Sequence, residues 1–458
     1  MHLRPYQLEI ARAVLGSIQN NLGLTFSVEI ARQGGKNELS AHLEVLLLTL
    51  FMSAGGSAIK CSPTFKPQTV ISMSRLKQRL DDFGFDSIWM SEMGYIIRLG
   101  AARQVFLSAE ESSSVVGHTA DILLEIDESQ DVSKEKYTKE FRPMASSTNA
   151  TTIHYGTTWD DSTLLEEIKQ SNLELEKSDG VKRHFRFDWQ EVARYNENYL
   201  SFVEAERFRL GVDHPLFLSQ YALLPVRTGG GFLGRSQVGQ MQGCHPRLRR
   251  RESKEKIYVA GIDLAGEAEV TGELELTVRG RDATVITVAG ISFPPDDAVV
   301  KEPLIQIVEH YCWVGSKHPV LYRQMVDILR NTWSCSRIAV DATGAGEAVA
   351  SFLRSAFGSR VIPFKFSQVS KSMLGFNLLA AVNSGRLKIY SGDGSEEYRE
   401  LMFELERARS VCRQNQTINF FVDPAQGHDD YLMSLALCVE AASRLRPGKA
   451  VGKIREDI

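Results

Sequence analysis

The sequence predicts two successive α/β domains, the first built on a parallel-rich sheet. Three observations carry this expectation. A chain of 458 residues exceeds one typical hydrophobic core and suits two. Short apolar strands alternate with helical stretches in both halves, the pattern of sheets joined by crossover helices. Between the halves, Arg227-Thr-Gly-Gly-Gly-Phe232 breaks every periodicity and marks a boundary. The expected organisation is a first domain over 1–225, including a helical, aromatic-rich lid region over 161–225, a glycine-rich and basic linker over 226–255, and a second domain over 256–458.

In the first half, Phe26, Val28 and Ile30 alternate with Ser27 and Glu29, a strand pattern over Leu24 to Ile30. Arg32-Gln-Gly-Gly-Lys36 then breaks it before a long apolar helix. Further strands are expected at Ala58 to Cys61, Ile122 to Ile126 and Thr151 to Tyr155, with helical character over Val70 to Asp82. The second half repeats the alternation with strands at Ile257 to Ile262, Ala283 to Ala289, Arg337 to Val340 and Val361 to Phe366, and a helix over Glu347 to Ala356.

Composition excludes several classes. The longest apolar run, Leu43 to Met52, contains Glu44 and Thr49 and is far shorter than the roughly 20 residues of a membrane span. Met1 to Gln7 lacks the cationic start and apolar core of a secretory signal, so the expected location is the cytoplasm. The six cysteines are scattered without zinc-ligand spacing, which points to reduced structural thiols. A formal charge of −4 does not announce a nucleic-acid partner. The densest positive segment, His245-Pro-Arg-Leu-Arg-Arg-Arg251 with Lys254 and Lys256, fits a solvated linker and a phosphate contact equally well.

Gly34-Gly35-Lys36 between a strand and a helix presents backbone N–H groups and a helix N-terminus to an anion, with a lysine to reach the β and γ phosphates. Ile30 and Asn37 stand where the common phosphate loop has its first glycine and its hydroxyl. A second feature strengthens the reading: Ile122-Leu-Leu-Glu-Ile-Asp127-Glu128 is an apolar strand ending in two carboxylates. Asp127 is expected to hold magnesium and Glu128 to polarise water toward the γ phosphate of ATP. Arg32 and Arg142, in Glu140-Phe-Arg-Pro143, are two candidates for the arginine that stabilises the transition state. The sequence does not choose between them.

Ala31-Arg-Gln-Gly-Gly-Lys-Asn-Glu38 resembles the variant phosphate loop of tailed-phage terminase large subunits, which lacks the first glycine and carries an arginine near its start. The resemblance implies that Gln33 to Lys36 cradle the phosphates and that Asn37 faces magnesium or its water. It further implies that Thr157 and Thr158 form the coupling motif, that Gln7 in Arg4-Pro-Tyr-Gln7 contacts adenine, and that Arg142 reaches a neighbouring subunit.

Two-metal hydrolysis of a phosphodiester needs several carboxylates from separate segments, because two divalent cations about 4 Å apart must be neutralised together. Asp263 ends Tyr258-Val-Ala-Gly-Ile-Asp263, Asp341 ends Arg337-Ile-Ala-Val-Asp341, and Asp429 and Asp430 open the apolar helix Tyr431 to Cys438. Only one of the last two is expected to face the site, since adjacent helical residues point about 100° apart. Asp282, in Gly280-Arg-Asp-Ala-Thr284, is a further carboxylate, which a hairpin turn explains better than a ligand role. Small residues follow in Gly261-Ile-Asp-Leu-Ala-Gly266 and Val340-Asp-Ala-Thr-Gly-Ala-Gly346, and the set resembles the ribonuclease H-like nuclease domain of the terminases, with two Mg2+ or Mn2+ ions.

The resemblance spans nearly the whole chain. It implies an ATP-driven motor that packages double-stranded DNA into a procapsid, joined to a metal-dependent endonuclease. Its implied partners are a small terminase subunit, the portal protein and further copies in a pentameric ring, all in the host cytoplasm. A repair helicase–nuclease, or a DNA-binding assembly subunit with degenerate sites, is the alternative.

Overall fold

The computed structural model describes residues 2–226, 230–264, 283–314, 318–344, 346–413 and 415–446. Ala265, Gly266, Asp282, Ala345 and the tail from Pro447 lie outside the described residues. One compact unit holds Met1–Glu204, Pro215–Arg227 and Gln414–Gln416. The other holds Ala205–His214, Thr228–Arg413 and Thr417–Ile458.

The strands of the first unit are β1 (Thr25–Ile30), β2 (Gly56–Ser62), β3 (Trp89–Glu92), β4 (Ile96–Leu99), β5 (Ala102–Ser108), β6 (Leu123–Ile126), β7 (Thr151–Gly156) and β8 (His184–Phe187). They form one sheet in the order β3-β4-β5-β2-β6-β7-β1-β8. All pairs from β5 to β8 are parallel, whereas β3, β4 and β5 pair antiparallel. Alternation along β5 covers both faces. Val105 and Leu107 pack with Ile59, Leu124, Tyr137 and Phe141; Phe106, between them, packs with Val45, Leu48, Leu76 and Leu80 from helices Lys36–Leu50 and Val70–Asp82.

Two elements of this unit differ from the sequence expectation. The region 161–225 is not helical throughout: after helix Leu164–Asp179, β8 adds an edge strand beside β1. Its four residues include His184 and Arg186, whose polarity hides a strand that side-chain pairing sustains, with His184 Nδ1 at 2.9 Å from Ser27 Oγ. The antiparallel β3 and β4 were also not expected, because β3 is largely exposed and lacks an apolar run.

The second unit contains β9 (Ile257–Asp263), β10 (Ala283–Ser292), β11 (Leu304–Val314), β12 (Arg337–Asp341), β13 (Val361–Phe364) and β14 (Leu387–Ile389), in the order β13-β12-β9-β10-β11-β14. β9, β10 and β11 are successively antiparallel, while β12 runs parallel to β9 and to β13. A small hairpin, β15 (Arg409–Cys412) with β16 (Ile418–Phe421), stands apart from this sheet. One face of the sheet, including Tyr258, Ala260 and Ile262, packs against Leu321, Met325, Val349 and Leu353. On the other, helix Asp430–Ser443 lies close on β9, for a Cβ at Gly261 would fall 2.1 Å from Cys438 N and 2.2 Å from Ser434 O.

The basic segment divides between two environments. Arg247 is only 5% exposed and binds Glu309, with Glu397 at 3.1 Å and Asp393 at 3.3 Å. Arg249 is 75% exposed and reaches the same buried Glu309 at 3.2 Å. A carboxylate buried in β11 is costly without a cation, so the first arginine of the run is part of the interior of this unit. No helix among the described residues is long and apolar enough to cross a membrane.

Candidate active sites

In the first unit, β7 separates β1 from β6, so the C-terminal ends of three adjacent parallel strands deliver the loop Ala31–Gly35, the pair Thr157–Thr158 and the pair Asp127–Glu128 to one edge. Gly35 has φ +94°, a left-handed conformation suited to glycine, and a Cβ there would meet Gln7 Nε2 at 2.6 Å. At Gly34 a Cβ would lie 2.5 Å from Ile30 Cγ2 and 2.7 Å from Ala31 O. Both glycines are therefore required by the turn. Side chains hold its carbonyls: Tyr6 Oη donates to Gly34 O at 2.5 Å, Gln7 Nε2 to Gly35 O at 2.9 Å, and Tyr199 Oη to Arg32 O at 3.0 Å. The first N–H groups of helix Lys36–Leu50 have no intrahelical acceptor, and the loop opens on a cleft of about 510 Å³.

Lys36 Nζ donates to both Glu128 oxygens, at 3.0 and 3.1 Å. Burial opposes ionisation of Glu128, but Lys36 and a hydrogen bond from Gln130 outweigh it and hold its pKa below the usual carboxylate range. Asp127 is shifted the other way: burial raises it, Glu128 adds to the rise, and Lys60 and Lys36 oppose. The two neighbours thus differ in environment, a half-buried carboxylate on a lysine and a buried one behind it.

Gln130 is a residue the sequence reading missed. Its Nε2 donates to Glu128 Oε2 at 2.8 Å and its Oε1 accepts from Thr157 N at 3.3 Å. Gly156 makes room for it, since a Cβ there would stand 2.2 Å from Gln130 Oε1. Gln220 is a second, accepting from Arg32 Nη1 at 2.6 Å. No local pattern announces either, because a glutamine after an acidic pair or in a distant loop has no spacing signature.

Beneath the loop, Lys60 Nζ donates to Ser40 Oγ at 2.7 Å and Glu44 Oε1 at 3.2 Å, and Ser40 Oγ donates to Glu125 Oε1 at 2.9 Å. This buried network ties the helix that starts at Lys36 to the strand that ends at Asp127.

Among the expected residues, Arg32, Gln33, Gly34, Gly35, Lys36, Asn37, Glu128 and Thr157 line the cleft. Asp127 is buried behind them. Thr158 is turned to the interior, its hydroxyl donating to Glu29 Oε1 at 2.7 Å. Gln7 is a strut of the loop, its amide engaged with Gly35 O and with Arg4 N at 2.8 Å. Arg142 is exposed on a 3-10 turn outside the cleft lining.

In the second unit, β9 and β12 are parallel neighbours, so Asp263 and Asp341 end side by side. Helix Asp430–Ser443 brings Asp430 and its N-cap Asp429 to the same edge. Asp263 is buried, which raises its pKa far above the usual range, and Asp430, Asp341, Asp429 and Glu404 raise it further. Asp430 Oδ2 accepts from Ala283 N at 2.9 Å. Asp341 is raised by burial, with Thr343 opposing through its N–H at 2.8 Å. Glu404, missed in the sequence because it lies mid-helix among charged residues, accepts from Leu432 N at 2.8 Å. Burial, then Asp430 and Asp429, push it up to about 9.

Among the described residues, no three His, Cys, Asp or Glu side chains close on one point as a complete ion cage. The donor chemistry nonetheless fits hard divalent cations, because mutually repelling, partly buried carboxylate oxygens gain from a positive charge between them. The first site fits a nucleoside triphosphate with magnesium by its glycine turn, its lysine and its acidic pair.

Residues 260–419 match the family model described as the terminase RNaseH-like domain. No curated protein matches the chain. Among solved structures, the chain resembles the large terminase from a thermophilic bacteriophage with a TM-score of 0.57 and 11% identity, over 96% of this chain and 99% of that one. The same phage protein in complex with ATP-gamma-S aligns with a TM-score of 0.54, 12% identity and the same coverage. The HK97 bacteriophage large terminase aligns with a TM-score of 0.40 and 15% identity, over 96% of this chain and 95% of that one. At these identities the likeness to the thermophilic phage protein is one of fold.

Proposed function

We propose that the chain is the large subunit of a tailed-phage DNA-packaging terminase: an ATPase that drives double-stranded DNA into a procapsid, joined to a metal-dependent endonuclease that cuts it. One observation carries the reading. A single chain holds a phosphate loop facing an acidic strand end in its first sheet, and clustered aspartates in a second sheet whose residues 260–419 match the terminase nuclease model.

In the first domain, 1–225, Lys36 would leave Glu128 for the β and γ phosphates of a bound nucleotide, freeing Glu128 to orient the attacking water. Asp127 and Asn37 would hold magnesium, which would supply charge neutralisation at the phosphates. Arg32 acts on its own subunit's γ phosphate, and Arg142, exposed and away from the cleft, acts on a neighbour's. Thr157, tied to Glu128 through Gln130, couples the state of the phosphate to motion, with Thr158 anchoring that strand end. Gln7 supports the loop at the adenine side. In the second domain, 256–458, Asp263, Asp341, Asp429 and Asp430 would hold two Mg2+ or Mn2+ ions, which would lower the pKa of water and polarise the scissile phosphate. The working form is a pentameric ring on the portal protein in the host cytoplasm, with a small terminase subunit choosing the DNA.

A double dissociation tests this. Purified full-length Lys36→Ala is expected to lose ATP hydrolysis by at least about 10²-fold while cutting plasmid DNA in Mn2+. Asp263→Ala is expected to do the reverse. Unchanged hydrolysis in the first variant removes the motor assignment, and unchanged cutting in the second removes the nuclease.

A further inference from the structure

Lys371 lies in the first turn of helix Gln368–Asn383, which packs against helix Asp430–Ser443, and outside every motif recognised in the sequence. Its ammonium stands 5.6 Å from the centre of the Phe420 ring. That ring is fixed from two directions. It stacks on Phe232 with centroids 4.7 Å apart and planes 19° apart, and it rests on Gly375, where a Cβ would approach it within 2.8 Å. Gly375 follows Lys371 by four residues, one turn along the same helix face. The turn itself is pinned by Ile418 N donating to Ser372 Oγ at 3.0 Å and by the Ser367 cap accepting from Ser370 N at 3.1 Å. The lysine is therefore held by a rigid aromatic support rather than by an acid.

Burial pushes the pKa of Lys371 below the usual lysine range, Asp429 and Asp263 oppose the fall, and Arg413 adds to it. Among the described residues it makes no ion pair with either acid. A lysine near two aspartates ordinarily collapses onto one of them; a cation–π contact worth about 0.5–2 kcal/mol and a pinned helix turn keep this one apart. The ammonium is thus left without a carboxylate partner among the described residues, on a helix that packs against the one carrying Asp430. The anion that suits the gap is one that brings its own claim on divalent cations, a phosphodiester oxygen of DNA.

We propose that Lys371 contacts the DNA backbone phosphate at the nuclease site, binding a non-bridging oxygen next to the Asp263 and Asp429 carboxylates. This rests on the nuclease reading above. Lys371 stabilises the charge that builds on the phosphoryl oxygens and offsets the repulsion between the acidic edge and incoming DNA.

The test uses the full chain, a fluorescent duplex and a supercoiled plasmid. Lys371→Met is expected to slow Mg2+-dependent nicking about 10²-fold. In EDTA, where no cutting occurs, it is expected to reduce the slope of log affinity against log salt by about one. Lys371→Arg, which keeps the cation, is expected to retain that slope and recover most of the cutting. Wild-type cutting and wild-type slope in Lys371→Met would overturn the proposal, as would equal impairment of the Arg and Met variants in both measurements. Absence of cutting by the unaltered chain defeats the nuclease reading itself and this proposal with it.

Discussion

Lys36 and Glu128 illustrate how one pair of charges can serve two states. At 3.0 Å the lysine neutralises a carboxylate that sits in the left-handed region at φ 45°, a conformation costing about 1–3 kcal/mol outside glycine. On the proposed reading, a bound phosphate competes for the ammonium and releases the carboxylate toward water. Glu128→Gln would then remove the proposed general base and the competing charge together. Nucleotide binding by Glu128→Gln should hold or tighten while turnover falls about 10²–10⁴-fold. Equilibrium binding of a fluorescent ATP analogue and steady-state phosphate release would separate the two effects; turnover at the wild-type rate would exclude Glu128 as the base.

Among the elements, helix Asp430–Ser443 decides where the aspartates of the second unit meet. Its register on β9 depends on Gly261, because the atoms a Cβ would strike are backbone atoms of the helix and cannot rotate away. Gly261→Ala should therefore push the helix off the strand, cost about 3 kcal/mol, and impair metal-dependent cutting although it changes no ligand. Calorimetry of the full chain measures the first effect and plasmid nicking the second. A neutral outcome in both would mean that the helix contact is not what sets the aspartates. Thr287 and Ser434, whose hydroxyls lie 2.7 Å apart, add a polar tie between the same helix and β10.

Across the whole molecule, acid acts with opposite signs on different buried groups. His154, in the first unit, is fully buried between Ser129 and Tyr137, and burial pushes its pKa down to about 3. Its folded value lies below the unfolded 6.5, so its contribution is complete above about pH 6.5 and is lost as pH falls toward 3. Glu404 in the second unit, raised to about 9, instead gains stability for the fold as pH falls from about 9 toward 4.5. A melting curve alone mixes these terms, and a substitution isolates one. His154→Gln should destabilise the first unit at pH 7.5, and that penalty should shrink by about 2 kcal/mol at pH 5, measured by denaturant unfolding. A penalty independent of pH would mean that the histidine titrates normally.

The placement of the candidate residues was legible in the sequence wherever it was local. Gly34-Gly35-Lys36 after an alternating strand, Asp127-Glu128 after an apolar one, and Asp263 and Asp341 at the ends of two more each declare themselves within a few residues, because a strand end and a turn are short-range structures. By itself the sequence determined two α/β halves and the order along the chain of the glycine turn and the strand-end acids. Gln130, Glu404 and Lys371 had no such signal, since each matters through residues brought to it by packing. The strands β8 and β11 were hidden for a related reason: His184, Glu309 and His310 interrupt the apolar pattern, and their burial is sustained by distant partners such as Ser27, Arg247 and Tyr390. Only tertiary structure decided that Arg247 belongs to the interior and that Thr158 faces Glu29 while Thr157 faces the cleft. The cost of burying a charge depends on what lies within a few ångströms of it, and neighbours from remote segments have no fixed spacing in the chain.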